Sequence, residues 1–237
     1  MGNSIADKIS LSALIDGFSS YTKTARDILR HPFKFPEGLD IEGENAFRNA
    51  LSFVFYAIAL LFFLLIPVFS KHAVEVSKVT FLIRYLVQFA MYAVLLHVGL
   101  RIIGRSKRDL RGTAIVYSHI VGVGAPLSIV LLYPVFLSFG PGALFGPPEE
   151  HFRMVSFYEE HPGFLIYAYV VNLVLGVFGI FVIVSWFSRT HQVGKVRVVL
   201  SLLLCGGVGA AIQIFILNPV FLATFESVER WLKYASA

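Results

Sequence analysis

The sequence is poor in charge: Asp, Glu, Lys and Arg make up only 15% of its 237 residues. Soluble domains carry about 25% charged residues. Hydrophobic residues make up 57% of the chain, so an ordinary soluble globular protein is excluded, because water would not solvate such a surface. The single cysteine, Cys205, excludes an intrachain disulfide framework and a cysteine-only metal site.

Familiar catalytic and binding motifs are also missing. The glycines of LCGGVGAA are not followed by Lys-Ser or Lys-Thr, and neither an HExxH zinc motif nor a GxSxG elbow occurs. The apolar runs contain no Asp or Glu, which argues against a proton-coupled or sodium-coupled carrier. Two Glu-Glu-His sequences, 149–151 and 159–161, lack zinc-site spacing and are interpreted as a solvated acidic loop. We therefore predict no enzyme activity, no cofactor and no metal.

Long apolar runs are what the sequence does have. A bilayer core about 30 Å thick requires about 20 apolar residues of helix. The runs are continuous rather than alternating, which excludes a β-barrel. The sequence therefore predicts an all-α polytopic membrane helix bundle with about five transmembrane helices, preceded by an N-terminal amphipathic interfacial helix. The transmembrane domain is predicted at 47–225, with spans at 47–69, 80–103, 114–139, 163–187 and 196–225.

Lys and Arg are distributed unevenly between the flanks of these spans. Fourteen lie on one side and six on the other, and the richer side is predicted to be cytoplasmic. We therefore expect a cytoplasmic N-terminus, a short non-cytoplasmic tail at 226–237 and a location in a bacterial inner membrane. Because the cations are divided among short segments, nucleic acid is not predicted as a partner despite the net charge of +5.

The cytoplasmic segment 1–46 carries a helical apolar stripe that ends before Pro32. Two interpretations are open: the helix lies in the membrane interface with its cations on anionic headgroups, or the stripe docks on the ends of the bundle helices. Both can hold together, and membrane lipids are the predicted partner. The stripe consists of Leu11, Leu14, Ile15, Phe18, Tyr21, Ala25, Ile28 and Leu29.

Polar side chains inside the spans are the candidate functional residues. Arg84 is close enough to the outer end to snorkel, whereas Asn172 and Gln213 are placed to form hydrogen bonds between helices. A proton relay between His97 and His119 is the catalytic alternative to an interfacial or structural role for both. The candidates are Arg84, Gln88, His97, His119, Asn172 and Gln213.

Small residues recur every four positions in the last two spans, a spacing that allows close approach of helix backbones. We predict that the fourth and fifth spans contact each other, or contact a second copy in a homo-oligomer. The predicted packing residues are Gly176, Ser201, Cys205, Gly206, Gly209 and Ala210.

Two segments, ILRHPFKF at 28–35 and GRSKRDLRGTAIVYSHIVGVGAP at 104–126, resemble motifs of the Yip1 family of five-span membrane proteins. In eukaryotes this resemblance implies small GTPase binding and vesicle traffic; the bacterial relatives are largely of unknown role. We expect a non-enzymatic membrane scaffold or membrane-organising protein of trafficking type. A channel or carrier for a small solute is the alternative, and an intramembrane enzyme using His97, His119 or the acidic loop is a third possibility.

Overall fold

The computed structural model describes residues 11–71, 75–139, 159–217 and 219–220. Helices α1 to α3 cover Leu11–Arg30, Ala46–Lys71 and Glu75–Ile102, with a 3-10 turn at Phe35–Glu37 between the first two. Helix α4 covers Leu110–Leu131 and α5 covers Tyr133–Phe139. Helix α6 covers Pro162–His191, and α7, Lys195–Ile212, continues into a π turn at Gln213–Leu217. No strand occurs within these described ranges.

Five of the helices are long and apolar enough to cross a membrane, which confirms the all-α class and the integral membrane location. Much of their surface is apolar and exposed, as expected when lipid rather than water surrounds a bundle. The first Glu-Glu-His sequence, 149–151, and the tail at 226–237 lie outside the described residues, whereas the second, 159–161, is exposed. The candidate spans are Ala46–Val68, Tyr85–Ile102, Leu110–Leu131, Pro162–His191 and Lys195–Leu217.

The third span, predicted at 114–139, is interrupted near its end. Helix α4 ends at Leu131, and α5 starts at Tyr133 after a turn. Pro134 explains the break, because a proline nitrogen has no hydrogen for the carbonyl four residues earlier and its ring crowds that carbonyl. The backbone N–H of Val135 bonds instead to the carbonyl of Leu132 at 2.9 Å.

Two close helix pairs organise the bundle: α2 lies along α4, and α3 lies along α7. The fourth and fifth spans, α6 and α7, also contact each other, as expected. The small-residue stripe of α7 nevertheless faces α3. A Cβ atom on Gly99 of α3 would lie 3.2 Å from Ser201, and one on Gly209 would lie 2.4 Å from the ring of Tyr92. The stripe thus closes the α3–α7 seam rather than the fourth-to-fifth contact.

Apart from the break at Leu132 and the single residue His161 before α6, all the described non-helical residues lie at one end of the bundle. There α2, α4 and α7 begin and α3 and α6 end, and α1 packs beside α2 and α4. We call this end the arm side and call α1 with the following segment to Glu37 the arm. The largest cluster of buried apolar side chains extends from the arm into the bundle and includes Tyr21, Ile28, Leu100, Trp186 and Phe187.

Candidate functional site

Helix α1 docks on the bundle along one edge. Tyr21 and Ile28 are buried, and the ring of Tyr21 packs 4.8 Å from that of Phe53 in α2. The adjoining apolar row stays exposed, at Leu14, Ile15, Phe18 and Leu29. The stripe predicted from the sequence is therefore divided between a docked edge and an open row.

A single hydrogen bond joins the arm to the interior of α4. The Tyr21 hydroxyl donates to the carbonyl of Gly122 at 2.9 Å. That carbonyl is four residues before Pro126, which lies inside α4 and has no N–H to offer it. The arm thus satisfies a backbone group that the helix cannot satisfy itself, which is how prolines are tolerated in membrane helices. Burial raises the pKa of Tyr21 to about 12.

The HPFKF sequence attaches the end of the arm to α6. The indole N–H of Trp186 donates to the carbonyl of Pro32, and the guanidinium of Arg189 donates to the carbonyl of Phe33 at 2.6 Å. The same guanidinium forms an ion pair with Glu37. Because Trp186 is fully buried, its indole hydrogen bond has little competition from water.

His119 occupies the interior of this junction between two aromatic rings. The ring of Phe53 stacks on it at 4.9 Å, and the ring of Phe35 lies 5.8 Å away. Its Nδ1 donates to the carbonyl of Ile115 at 2.8 Å, because a carbonyl oxygen can only accept. His119 therefore stabilises the contact between arm, α2 and α4 as a packing residue.

The basic loop between α3 and α4 attaches to both α6 and the segment before α2. The hydroxyl of Ser106 lies 2.9 Å from Nδ1 of His191 and accepts the backbone N–H of Arg108 at 3.2 Å. The guanidinium of Arg108 donates to the carbonyl of Thr190 and forms an ion pair with Glu42. Ser106 and His191 are both buried, so this polar contact is shielded from solvent.

His97, the other predicted relay residue, bonds elsewhere. Its Nδ1 lies 3.0 Å from the hydroxyl of Thr113, and that hydroxyl donates to the carbonyl of Asp109. His97 therefore joins α3 to the first turn of α4, whereas His119 bonds within α4. The structure brings both histidines to the arm-side half of the bundle but gives them separate partners.

The remaining described polar candidates lie on three different elements: Asn172 on α6, Gln88 on α3 and Gln213 at the end of α7. The amide of Asn172 donates to the carbonyl of Ala168 at 2.8 Å, so this bond stays within α6 instead of joining two helices as predicted. Gln88 is half-buried on α3, and Gln213 is half-buried at the start of the π turn. The side chain of Arg84 lies outside the described residues.

The predicted small-residue set also divides. Ser201, Cys205 and Gly209 are buried, and the Cys205 thiol lies 3.9 Å from the carbonyl of Tyr92. Gly206 and Ala210 are exposed on the adjoining face of α7, and Gly176 is exposed on α6. A Cβ atom at Gly176 or Gly206 would meet no atom within 4 Å.

The sequence did not single out the residues that hold the arm side together. Ser106, Arg108, Trp186 and His191 lie at helix ends or in turns, where polar residues are ordinary. The available signal was Pro126, whose position inside a span predicts one unsatisfied carbonyl at Gly122 and hence a donor from another element. Among the described residues, no three His, Cys, Asp or Glu side chains come together as metal ligands.

No protein-family model matches this chain, and no curated protein or solved structure matches it. The fold and the contacts of the arm side therefore carry the functional argument.

Proposed function

We propose that this integral membrane protein is a non-enzymatic scaffold of Yip1-like type that organises the leaflet on its arm side. The observation that carries the proposal is the half-docked arm. Tyr21 holds α1 to the bundle, while Leu14 and Phe18 are exposed beside it. A helix with such a row and with cations on its polar face inserts into the boundary between headgroups and acyl chains. The cations are Lys23, Arg26 and Arg30.

The arm side is proposed to be cytoplasmic, in a bacterial inner membrane, because it carries most of the Lys and Arg. The basic face of α1 would then meet the leaflet surface, where anionic lipids attract Lys and Arg. A partner such as a small GTPase, which the Yip1 resemblance implies for eukaryotic members, would reach the protein from this same side.

The use of polar groups within the spans supports a scaffold over a carrier. Asn172, Ser118 and Ser128 each donate to the carbonyl four residues earlier in their own helix. A carrier presents such groups to its solute, whereas here the backbone already engages them.

Self-association is the second part of the proposal, and a second copy of this chain is the proposed occupant of the open face of α7. Gly206 and Ala210 form a small-xxx-small pair on that exposed face, a spacing that permits close helix contact. We expect Gly206→Leu to reduce energy transfer between labelled copies in vesicles. Gly124→Leu is the matched control, because Gly124 is another exposed glycine with no atom near a Cβ position.

The functional test uses the full chain reconstituted in vesicles of phosphatidylcholine and phosphatidylglycerol. Wild-type protein should shift the distribution of vesicle diameters seen by electron cryomicroscopy without releasing trapped solutes. Leu14→Ser with Phe18→Ser should strongly reduce the shift, because it makes two of the four side chains of the exposed row polar and leaves Tyr21 and Ile28 in place. Ser20→Ala, at an exposed polar position of α1, is the control. Protein-dependent solute flux would overturn the scaffold and favour a channel or carrier.

A further inference from the structure

A second feature of the arm side lies away from the arm, where α3 ends beside the start of α7. A Cβ atom on Gly99 would lie 3.2 Å from Ser201, and one on Gly104 would lie 3.1 Å from the side chain of Val193. These two close approaches place the end of α3 and its following loop against the start of α7 and the residues just before it. Charged residues near these positions in the sequence therefore lie at this end of the two helices.

Five exposed cations lie within four residues of these close approaches in the sequence. None forms an ion pair in the part of the chain that the structure describes, whereas Arg108 and Arg189 on the same side are paired with glutamates. The nearby Asp109 uses its carboxylate to cap α4, accepting the backbone N–H of Gly112 at 2.8 Å. The seam cations are Arg101, Arg105, Lys107, Lys195 and Arg197.

Arg105 is present at a position that suits glycine better. Its φ is 55°, in the left-handed region that disfavours side chains with a Cβ. Glycine would adopt this conformation without that steric cost. Arg105 is exposed and forms no described ion pair that would offset this steric cost. Its charge is therefore expected to interact with a partner outside the chain.

An exposed apolar strip adjoins the cations on the membrane-spanning parts of the same two helices. Ile102 is 68% exposed at the end of α3, and Val196 is 74% exposed at the start of α7. Val98 and Leu203 continue the exposed apolar surface into the spans. A soluble polyanion would match only the cations, whereas a phospholipid presents an anionic headgroup directly attached to acyl chains.

We propose that the arm-side end of the α3–α7 seam is a binding site for an anionic phospholipid. Its phosphate lies among the five seam cations, and its acyl chains lie along Ile102 and the strip below it. This site is independent of the proposed scaffold function, because it uses neither the arm nor the open small-residue face of α7.

The test measures local lipid composition with a fluorescent label. In a Cys205→Ser background, bimane is attached at Ile102→Cys beside the seam or at Phe181→Cys, an exposed position on α6. Vesicles contain either nitroxide-labelled phosphatidylglycerol or nitroxide-labelled phosphatidylcholine, at the same mole fraction and with the nitroxide at the same position. The measured quantity is the quenching by phosphatidylglycerol divided by the quenching by phosphatidylcholine. This ratio does not depend on the depth of the bimane in the membrane. We expect a ratio of at least ~2 at Ile102 and about 1 at Phe181, because each cation near the surface favours anionic lipid several-fold.

Changing all five seam cations to glutamine should lower the ratio at Ile102 to about 1. Lys23→Gln with Arg26→Gln and Arg30→Gln, which neutralises the arm, should leave that ratio unchanged. Raising NaCl to about 1 M, where the screening length is only ~3 Å, should reduce the ratio without any substitution, so the test does not depend on folding of the five-fold variant. Equal ratios at the two labelled positions of the otherwise unchanged protein would overturn the proposal, as would a ratio at Ile102 that survives the five substitutions.

Discussion

Replacing Tyr21 with phenylalanine removes the hydroxyl that donates to Gly122 and keeps the ring that packs on Phe53. The Gly122 carbonyl then has no donor from its own helix, because the residue four positions later is Pro126. Leaving a buried carbonyl unsatisfied costs about 1 to 3 kcal/mol. We therefore expect Tyr21→Phe to shift the docking equilibrium of the arm about 5-fold to 150-fold toward the undocked state.

A second substitution tests the cause of that loss. Pro126→Ala restores an N–H that can bond to the Gly122 carbonyl within α4. In this background Tyr21→Phe should cost less than about 0.5 kcal/mol, giving a coupling free energy of about 0.5 to 3 kcal/mol between the two positions. Two independent positions would give additive effects.

Hydrogen exchange of the α1 amides, measured by mass spectrometry on the protein in lipid nanodiscs, reports the undocking of the arm. The control is Tyr167→Phe, which removes a similar tyrosine bond to the Leu131 carbonyl at the break in the third span and should leave α1 exchange unchanged. Equal losses from Tyr21→Phe with and without Pro126 would refute the reasoning.

Three further predictions follow from the backbone and packing. Gln192 ends α6 with a φ of 53°, a conformation that glycine adopts more easily. Gln192→Gly should therefore raise the free energy of unfolding by up to ~1 kcal/mol and the melting temperature in detergent by a few degrees. A lower melting temperature would contradict this prediction. Gly209→Leu should lower the free energy of unfolding by about 1 to 3 kcal/mol, because its side chain would clash with Tyr92. Gly206→Leu, whose side chain would enter open space, should leave the detergent-solubilised monomer as stable as wild type. Burial raises the pKa of Tyr21 to about 12 from about 10. The contribution of Tyr21 to docking should therefore be complete below pH ~10 and should be lost as the pH rises through about 12. Tyrosinate absorbance measures the ionisation of Tyr21, and hydrogen exchange of α1 measures the docking.

The number and type of the spanning helices could be predicted from the sequence because apolar run length alone determines them. Apolar run length alone could not place the break at Leu132, because the loss of one N–H at Pro134 does not change the hydropathy of the segment. The partner of the small-residue stripe was also missed. Small residues predict a close approach, but they do not specify which helix approaches, and here α3 does so through Gly99.

The contacts of the arm also could not be predicted from the sequence. Periodicity predicted its helix and left docking and interfacial insertion open as alternatives, since both require an apolar stripe. What divides the stripe is tertiary: Tyr21 meets a carbonyl freed by a proline more than one hundred residues away. Trp186 and His191 escaped notice because a span end containing Trp or His is ordinary, and only the fold shows that they hold Pro32 and Ser106.

The most direct test of the central claim, that a bundle-docked arm presents its open row to the membrane, is lipid quenching of α1. In the Cys205→Ser background, bimane at Phe18→Cys reports the open row, and bimane at Ser20→Cys reports an exposed polar position two residues away. Nitroxide placed near the top of the acyl chains should quench the label at position 18 strongly and the label at position 20 weakly. Equal quenching at the two positions, or none at position 18, would contradict the account.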